Sequence, residues 1–320
     1  MRPNRRPTLR APLIALLTLA SATTAAAQED DVKIFADGTP PPEAWAAQVR
    51  EARVPERPKA DRAGAKRVNI IFEGYLLGLR VGKMSMTAFI GPDQYEVSSA
   101  MRTTGVASLI SNTTQRAHTV GRFEDGAPVP LFHAFGDYKK GETPQLVELS
   151  YDAGENRVGM WSSPQRRMRY FVGPDDIDGA VDPMSALLEV GMTTAGAAME
   201  PCGQTAKVFD GRRRYDLRLE PDALVELRDR KDRYNGRAYK CRVRYVQLAG
   251  FKPHVLKEDT GETRAFMYFA DFKDGIRLPV RAEVRGRFGG LTLIARDIRI
   301  VDVEPTDVAA EDGDDGGDAS

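Results

Sequence analysis

The chain has only two cysteines, three histidines and two tryptophans, and no long apolar run. A bilayer-spanning helix takes ~20 consecutive apolar residues. The most apolar stretch, "APLIALLTLA" at 11–20, is too short, so no transmembrane segment is expected in the mature chain. His118, His133 and His254 show no H-x-x-H spacing, and no cysteine stands close to them in sequence, so no metal site is expected. There is no G-x-S-x-G elbow to anchor a Ser-His-Asp set. No catalytic, cofactor-binding or metal-ligating residue is therefore assigned, and no cofactor is expected. Internal repeats are absent as well.

The short apolar run has another reading. Arg2, Arg5, Arg6 and Arg10 precede or flank it, and Ala25-Ala26-Ala27 follow, which is the layout of an export signal cleaved near Ala27. The mature protein is expected in the periplasm, where nucleic acid is not a partner. In that compartment an even cysteine count favours a disulfide between Cys202 and Cys241 over two buried thiols.

The formal net charge of zero combines +4 in residues 1–27, −8 in the tail from Asp302 onward and +4 between them. The tail "EDGDDGGDAS" has no apolar residue larger than alanine, so it cannot offset the entropy of ordering. Residues 303–320 are expected to be disordered. Residues 28–66 are rich in Pro, Ala and charge and read as a leader or linker, with a short helix around 43–52.

From residue 67 to 302 the texture is that of one β-rich domain. Short alternating runs are separated by turn signals such as Gly91-Pro92-Asp93 and Glu124-Asp125-Gly126. "LPVRAEVRG" sorts Leu278, Val280, Ala282 and Val284 to one face and Arg281, Glu283 and Arg285 to the other. "CRVRYVQL" does the same, with Cys241, Val243 and Tyr245 inward. One helix interrupts the series at about 183–198. Asp182 is its N-cap, Pro183 its first residue, and Met184, Leu187, Leu188, Gly191, Met192 and Ala195 form an apolar face. The expected fold is mainly β: a large curved antiparallel sheet or open barrel holding that helix.

"VFDGRRRYDL" (208–217) reads as a hairpin. Asp210-Gly211 predicts a two-residue turn that places Phe209 opposite Arg212 and Val208 opposite Arg213. The period of two sends Arg212 and Arg214 to one face and Arg213 to the apolar face of Tyr215 and Leu217, which makes Arg213 the candidate buried arginine. Both cysteines fall on that apolar side too, so a bridge from the helix end to a core strand is feasible.

Other features have plain structural readings. "GPDDIDG" (173–179) is similar to a calcium loop but lacks the later ligands, so a solvated loop is favoured. The basic segments at 165–170, 211–219 and 228–244 read as solvent-facing strand residues, with an anionic envelope surface as the functional alternative. Methionines 84, 86, 101, 160, 168, 184 and 192 read as core filler, or as the lining of a lipid cavity.

Several segments together resemble an exported bacterial family catalogued as domain of unknown function 3108. They are "YLLGLRVGKMSM" with Gly82, "TTGVASLI" around Gly105, "HTVGRFEDGAPVPLF", "VDPMSALL", "KVFDGRRRYDL", "YNGRAYKCRVRYVQLAGF" and "LPVRAEV", covering about 68–300. Gln247 stands where the family pattern has proline. The resemblance implies a periplasmic β-rich protein and transfers no catalytic residues. The architecture is also similar to periplasmic half-barrels of the lipoprotein-carrier type. The resulting expectation is a non-enzymatic envelope protein with a lipid-like or other apolar ligand. The alternative is a structural protein that binds another envelope protein, and a hydrolase of envelope polymers ranks last.

Overall fold

The computed structural model describes residues 57–109, 112–152, 157–163, 172–191, 202–229, 233–251, 264–286 and 289–303. The expected signal, the short helix at 43–52, His254 and the acidic tail beyond Val303 lie outside these residues.

Seven strands come first: β1 (Lys66–Leu76), β2 (Leu79–Ile90), β3 (Gln94–Thr103), β4 (Thr113–Glu124), β5 (Ala127–Lys139), β6 (Gln145–Asp152) and β7 (Arg157–Ser163). Two short helices follow, α1 (Pro174–Ile177) and α2 (Pro183–Gly191). Six strands complete the domain: β8 (Thr205–Phe209), β9 (Arg214–Leu227), β10 (Gly236–Ala249), β11 (Arg264–Asp271), β12 (Arg277–Gly286) and β13 (Gly289–Asp302). They form a single antiparallel sheet in the order β7-β6-β5-β4-β3-β2-β1-β13-β12-β11-β10-β9-β8. Every neighbour is a chain neighbour except β1 and β13, which pair from Lys66–Asp302 to Leu76–Leu291. The fold is thus two meanders stitched together by the first strand and the last.

The sheet is not closed by hydrogen bonds; β7 and β8 are its edges. The chain between them covers the β8 edge: the Val181 amide donates to the Lys207 carbonyl (2.8 Å) and the Phe209 amide to the Val181 carbonyl (2.9 Å). An open strand edge invites pairing with other chains, and this contact occupies part of it. Val147 and Leu149 of β6 and Val158 of β7 pack with Val172, Ile177, Ala180 and Phe209. The two ends of the sheet therefore meet through side chains, giving a barrel-like form with a seam.

α2 lies inside. It touches β4 and β5 on one side and β8 and β12 on another. Met184, Ser185, Ala186, Leu187, Leu188 and Val190 are all buried. The expectation of a helix with a single apolar face is corrected: α2 is buried around its circumference, as a mostly apolar helix should be. Its predicted extension past Gly191 lies outside the described residues. The alternation read in β12 and β10 matches burial at Leu278, Val280, Val284, Cys241 and Val243; Ala282 is only half-buried, and Glu283 on the other face is buried as well, held in ion pairs by Arg281 and Arg285.

The β8–β9 hairpin differs from its predicted register. Val208 faces Tyr215, Lys207 faces Asp216 and Phe209 faces Arg214, a slip of two residues. The cause is the Asp210 side chain. Its Oδ1 accepts the amides of Arg212 (2.9 Å) and Arg213 (2.7 Å), so Asp210-Gly211 opens a four-residue turn instead of forming the centre of a two-residue one. A slip of two preserves the faces, so Tyr215 still points inward.

The end of the predicted linker is laid against the barrel. Arg57 pairs with Glu148 (2.7 Å), and Arg62 pairs with Glu96 (3.0 Å) while stacking over the Phe89 ring (4.1 Å).

Candidate functional site

Cys202 and Cys241 form a disulfide with Cα atoms 5.6 Å apart. Both are buried, and the bridge ties the segment after α2 to β10. Asp182 caps α2, its Oδ1 accepting the amides of Met184 (2.9 Å) and Ser185 (3.2 Å), with Pro183 at the first helical position.

Asp182 also centres a polar cluster that sequence reasoning missed. Thr119 Oγ1 donates to Asp182 Oδ1 (2.9 Å), and His133 Nδ1 lies 2.7 Å from Thr119 Oγ1 and 3.1 Å from Asp182 Oδ1. The hydroxyl has one proton, given to Asp182, so the single Nδ1–H of His133 is shared between the Thr119 oxygen and Asp182 Oδ1. Ser185 Oγ donates to Asp182 Oδ2 and meets Tyr95 OH at 2.7 Å. All five residues are buried. Burial pushes the Asp182 carboxyl up, but attraction to His133 and hydrogen bonds from His133 and Ser185 outweigh it, and its pKa falls below the ordinary value.

The cluster contains Ser, His and Asp, but not in a catalytic order. A triad needs the nucleophile bonded to the histidine. Here Ser185 bonds Asp182 and Tyr95, while the His133 Nδ1 faces Thr119 and Asp182. The arrangement anchors the N-terminus of α2 to β3, β4 and β5.

His118 sits elsewhere, its Nε2 3.1 Å from Glu96 Oε1 beside Arg62. Of the aspartates in the loop similar to a calcium site, Asp176 accepts the Gly173 amide (2.7 Å) through its side chain. Among the described residues no three metal-ligating side chains converge.

The buried arginine of the hairpin is Arg214, not Arg213. Arg214 is 4 % exposed; it donates to Asp216 Oδ1 (2.7 Å) and to the carbonyls of Asp176 (2.7 Å) and Tyr215 (2.6 Å). Arg213 falls in the turn, half-buried, with its guanidinium 5.3 Å from the Phe251 ring centroid. Arg213 does not take its expected place on the apolar face, because the longer turn removes it from the strand. Arg214 is buried on the other face because the α1 segment covers it there.

The concavity with a binding chemistry is on the outside of the barrel. Glu73, Ile294, Arg281, Tyr268 and Lys240 are successive cross-strand neighbours and share one face. Gly74, Leu293, Ala282, Met267 and buried Cys241 share the opposite, inner face. A cleft of about 590 Å³ opens on the outer face, lined by Tyr75, Arg80, Arg233, Arg281, Thr292 and Ile294 among others. The β9–β10 connection delivers Arg233, and the Tyr234 amide takes the Ala295 carbonyl (3.4 Å) beyond the last β12–β13 pair.

Ion pairs organise this cleft. Glu73 accepts Tyr75 OH (2.6 Å), Arg296 (2.7 Å) and Arg80 (3.2 Å). Arg233 donates to Tyr75 OH (3.0 Å) and Asp229 (3.1 Å), and Arg281 pairs with Asp229 (3.4 Å) and Glu283 (3.0 Å). Burial raises the Glu73 carboxyl, yet these hydrogen bonds prevail and its pKa is lowered, so it stays ionised. Arg285 also pairs with Glu283, which leaves five arginines against three carboxylates. The surplus is cationic. The cleft could not be assembled from the sequence, because its members are separated by up to 223 positions; the local sign was the basic segment at 228–244, which contains Arg233.

Fold and site together define a β-barrel-like domain with an internal helix, a disulfide and a cationic outer cleft. The chain belongs to the family described as "Protein of unknown function (DUF3108)", which it matches over residues 69–296. Among solved structures it is similar to the beta-barrel-like protein of domain of unknown function DUF1849 from Brucella abortus, at 10% identity and a TM-score of 0.40, covering 76% of this chain and 100% of that one. No curated protein matches.

Proposed function

We propose that this is an exported, non-enzymatic protein of the bacterial envelope that binds an anionic amphiphile at its outer cleft. The observation that carries the reading is the surplus of arginines around a concavity of about 590 Å³ that is also lined by exposed Leu79 and half-buried Tyr75. Arginine forks match the geometry of phosphate and carboxylate groups, and the neighbouring apolar atoms suit the first part of an acyl chain. The signal-like leader and the Cys202–Cys241 bridge support a periplasmic location. Carriage inside the barrel has less support, since α2 and its packed neighbours fill the interior around the described residues. The hydrolase reading has less support as well: the carboxylates beside the cleft, Glu73, Asp229 and Glu283, are each held in ion pairs with arginines.

Titration calorimetry with a monomeric short-chain phosphatidylglycerol tests the reading, with the phosphatidylcholine of equal chain length as the control. Binding of the anionic lipid, weakened about tenfold or more by Arg233→Ala combined with Arg281→Ala, is the expected result. Equal binding of the two lipids, or none of either, overturns it.

A further inference from the structure

The hairpin between β1 and β2 contains an arrangement that folding does not explain. Leu77 has φ 52 and Gly78 φ 80, a left-handed pair that makes a tight hairpin turn. Such a first position favours Asn, Asp or Gly, because a Cβ is strained there. Leucine accepts the strain without the return of burial, since Leu77 is 68% exposed. Leu76 (36%) and Leu79 (58%) flank it, also exposed.

A second tip stands beside the first. The 3-10 turn Gly105–Leu109 packs on the start of β2: the Thr104 amide donates to the Val81 carbonyl (2.9 Å), and Gly105 lies so close to the Arg80 carbonyl that a Cβ there would be 2.4 Å from it. This turn presents Val106, 51% exposed. Four of the eight large hydrophobics exposed among the described residues therefore cluster at one end of the barrel. Directly behind them is the cationic cleft, with Leu79 and Arg80 belonging to both. On the same outer face, Lys83 and Arg102 are exposed cross-strand neighbours of one another beside Glu73.

We propose that this end docks on an anionic bilayer surface, with Leu77 and Leu79 inserted below the headgroups and Arg80, Arg233 and Arg281 on their phosphates. The inference rests on the cleft's binding an anionic amphiphile and commits the source of that amphiphile to a membrane. Apolar groups flanked by cations are what an anionic interface recognises: insertion contributes buried apolar area, and the cations contribute attraction to the surface potential. A protein partner would be matched by the leucines alone. The arginine surplus adjoining them favours the charged lipid surface.

The test uses the full mature chain in co-sedimentation with vesicles of phosphatidylglycerol and phosphatidylethanolamine, and with pure phosphatidylcholine vesicles. Partition to the anionic vesicles only is expected, falling with added salt. Leu77→Asp is the informative variant, because aspartate suits the left-handed turn and the fold should be kept, as a thermal melt will check. It should reduce vesicle partition at least about tenfold, while binding of the monomeric short-chain lipid stays as in the native chain. Leu77→Trp should give a blue-shifted emission on the anionic vesicles. Native partition by Leu77→Asp, or an unshifted Leu77→Trp, overturns the inference. Short-chain lipid binding without vesicle partition overturns docking and leaves the cleft reading standing, whereas loss of both overturns both.

Discussion

His133 Nδ1 lies 3.1 Å from Asp182 Oδ1 inside the barrel, where the two side chains are 3% and 0% exposed. Asp182 also caps α2, so one carboxylate fixes both the helix start and its attachment to β4 and β5. Removing one partner of a buried pair leaves the other uncompensated. Asp182→Ala should cost about 3–5 kcal/mol by urea denaturation, and Asp182→Asn, which retains the cap, should cost less.

Glu96 makes stability depend on acid. Burial pushes its carboxyl up, but hydrogen bonds from His118 and Arg62 prevail and bring it from 4.5 to about 2. A carboxylate depressed in the folded state adds stability that is complete above its unfolded pKa and lost as pH falls through the folded one. The urea midpoint should therefore fall between about pH 5 and pH 2, and Glu96→Gln should fall less steeply over that window.

The Cys202–Cys241 bridge closes a loop with a sequence separation of 39. Chain-entropy arguments give about 3–4 kcal/mol for such a closure. Replacing both cysteines with serine should lower the melting temperature of the native chain, and adding reductant to that variant should change nothing further.

The arginine turn offers a test of its register. Arg214→Ala should cost about 3 kcal/mol, because it takes from buried Asp216 its closer partner, leaving the longer pair with Arg218 (3.3 Å), and leaves the Asp176 and Tyr215 carbonyls without their donor. Arg213→Ala should cost under about 1 kcal/mol, the worth of its contact with Phe251. The two-residue turn predicts the reverse order, so one pair of denaturation curves separates them.

Gly250 gives the turn its room. It has φ +78, and a Cβ there would stand 2.1 Å from the Arg212 carbonyl. Gly250→Ala should destabilise by about 2 kcal/mol or more through both strain and overlap, read as a lowered thermal midpoint.

The sequence by itself determined the local elements. Alternation in "LPVRAEVRG" and "CRVRYVQL" is a property of neighbouring residues, and it named the buried faces of β12 and β10. Asp182-Pro183 marked where α2 begins, because capping is also local. The tertiary structure decided what depends on distant partners. The pairing of β1 with β13 joins residues more than 200 positions apart, and no short-range period encodes it. The hairpin register turned on the Asp210 side chain, which chose the backbone amides of Arg212 and Arg213 over a tighter turn. The cationic cleft exists only because β1, β2, β12, β13 and the β9–β10 connection bring their outward residues together. These residues come from segments far apart in the chain, so their grouping leaves no short-range pattern in the sequence.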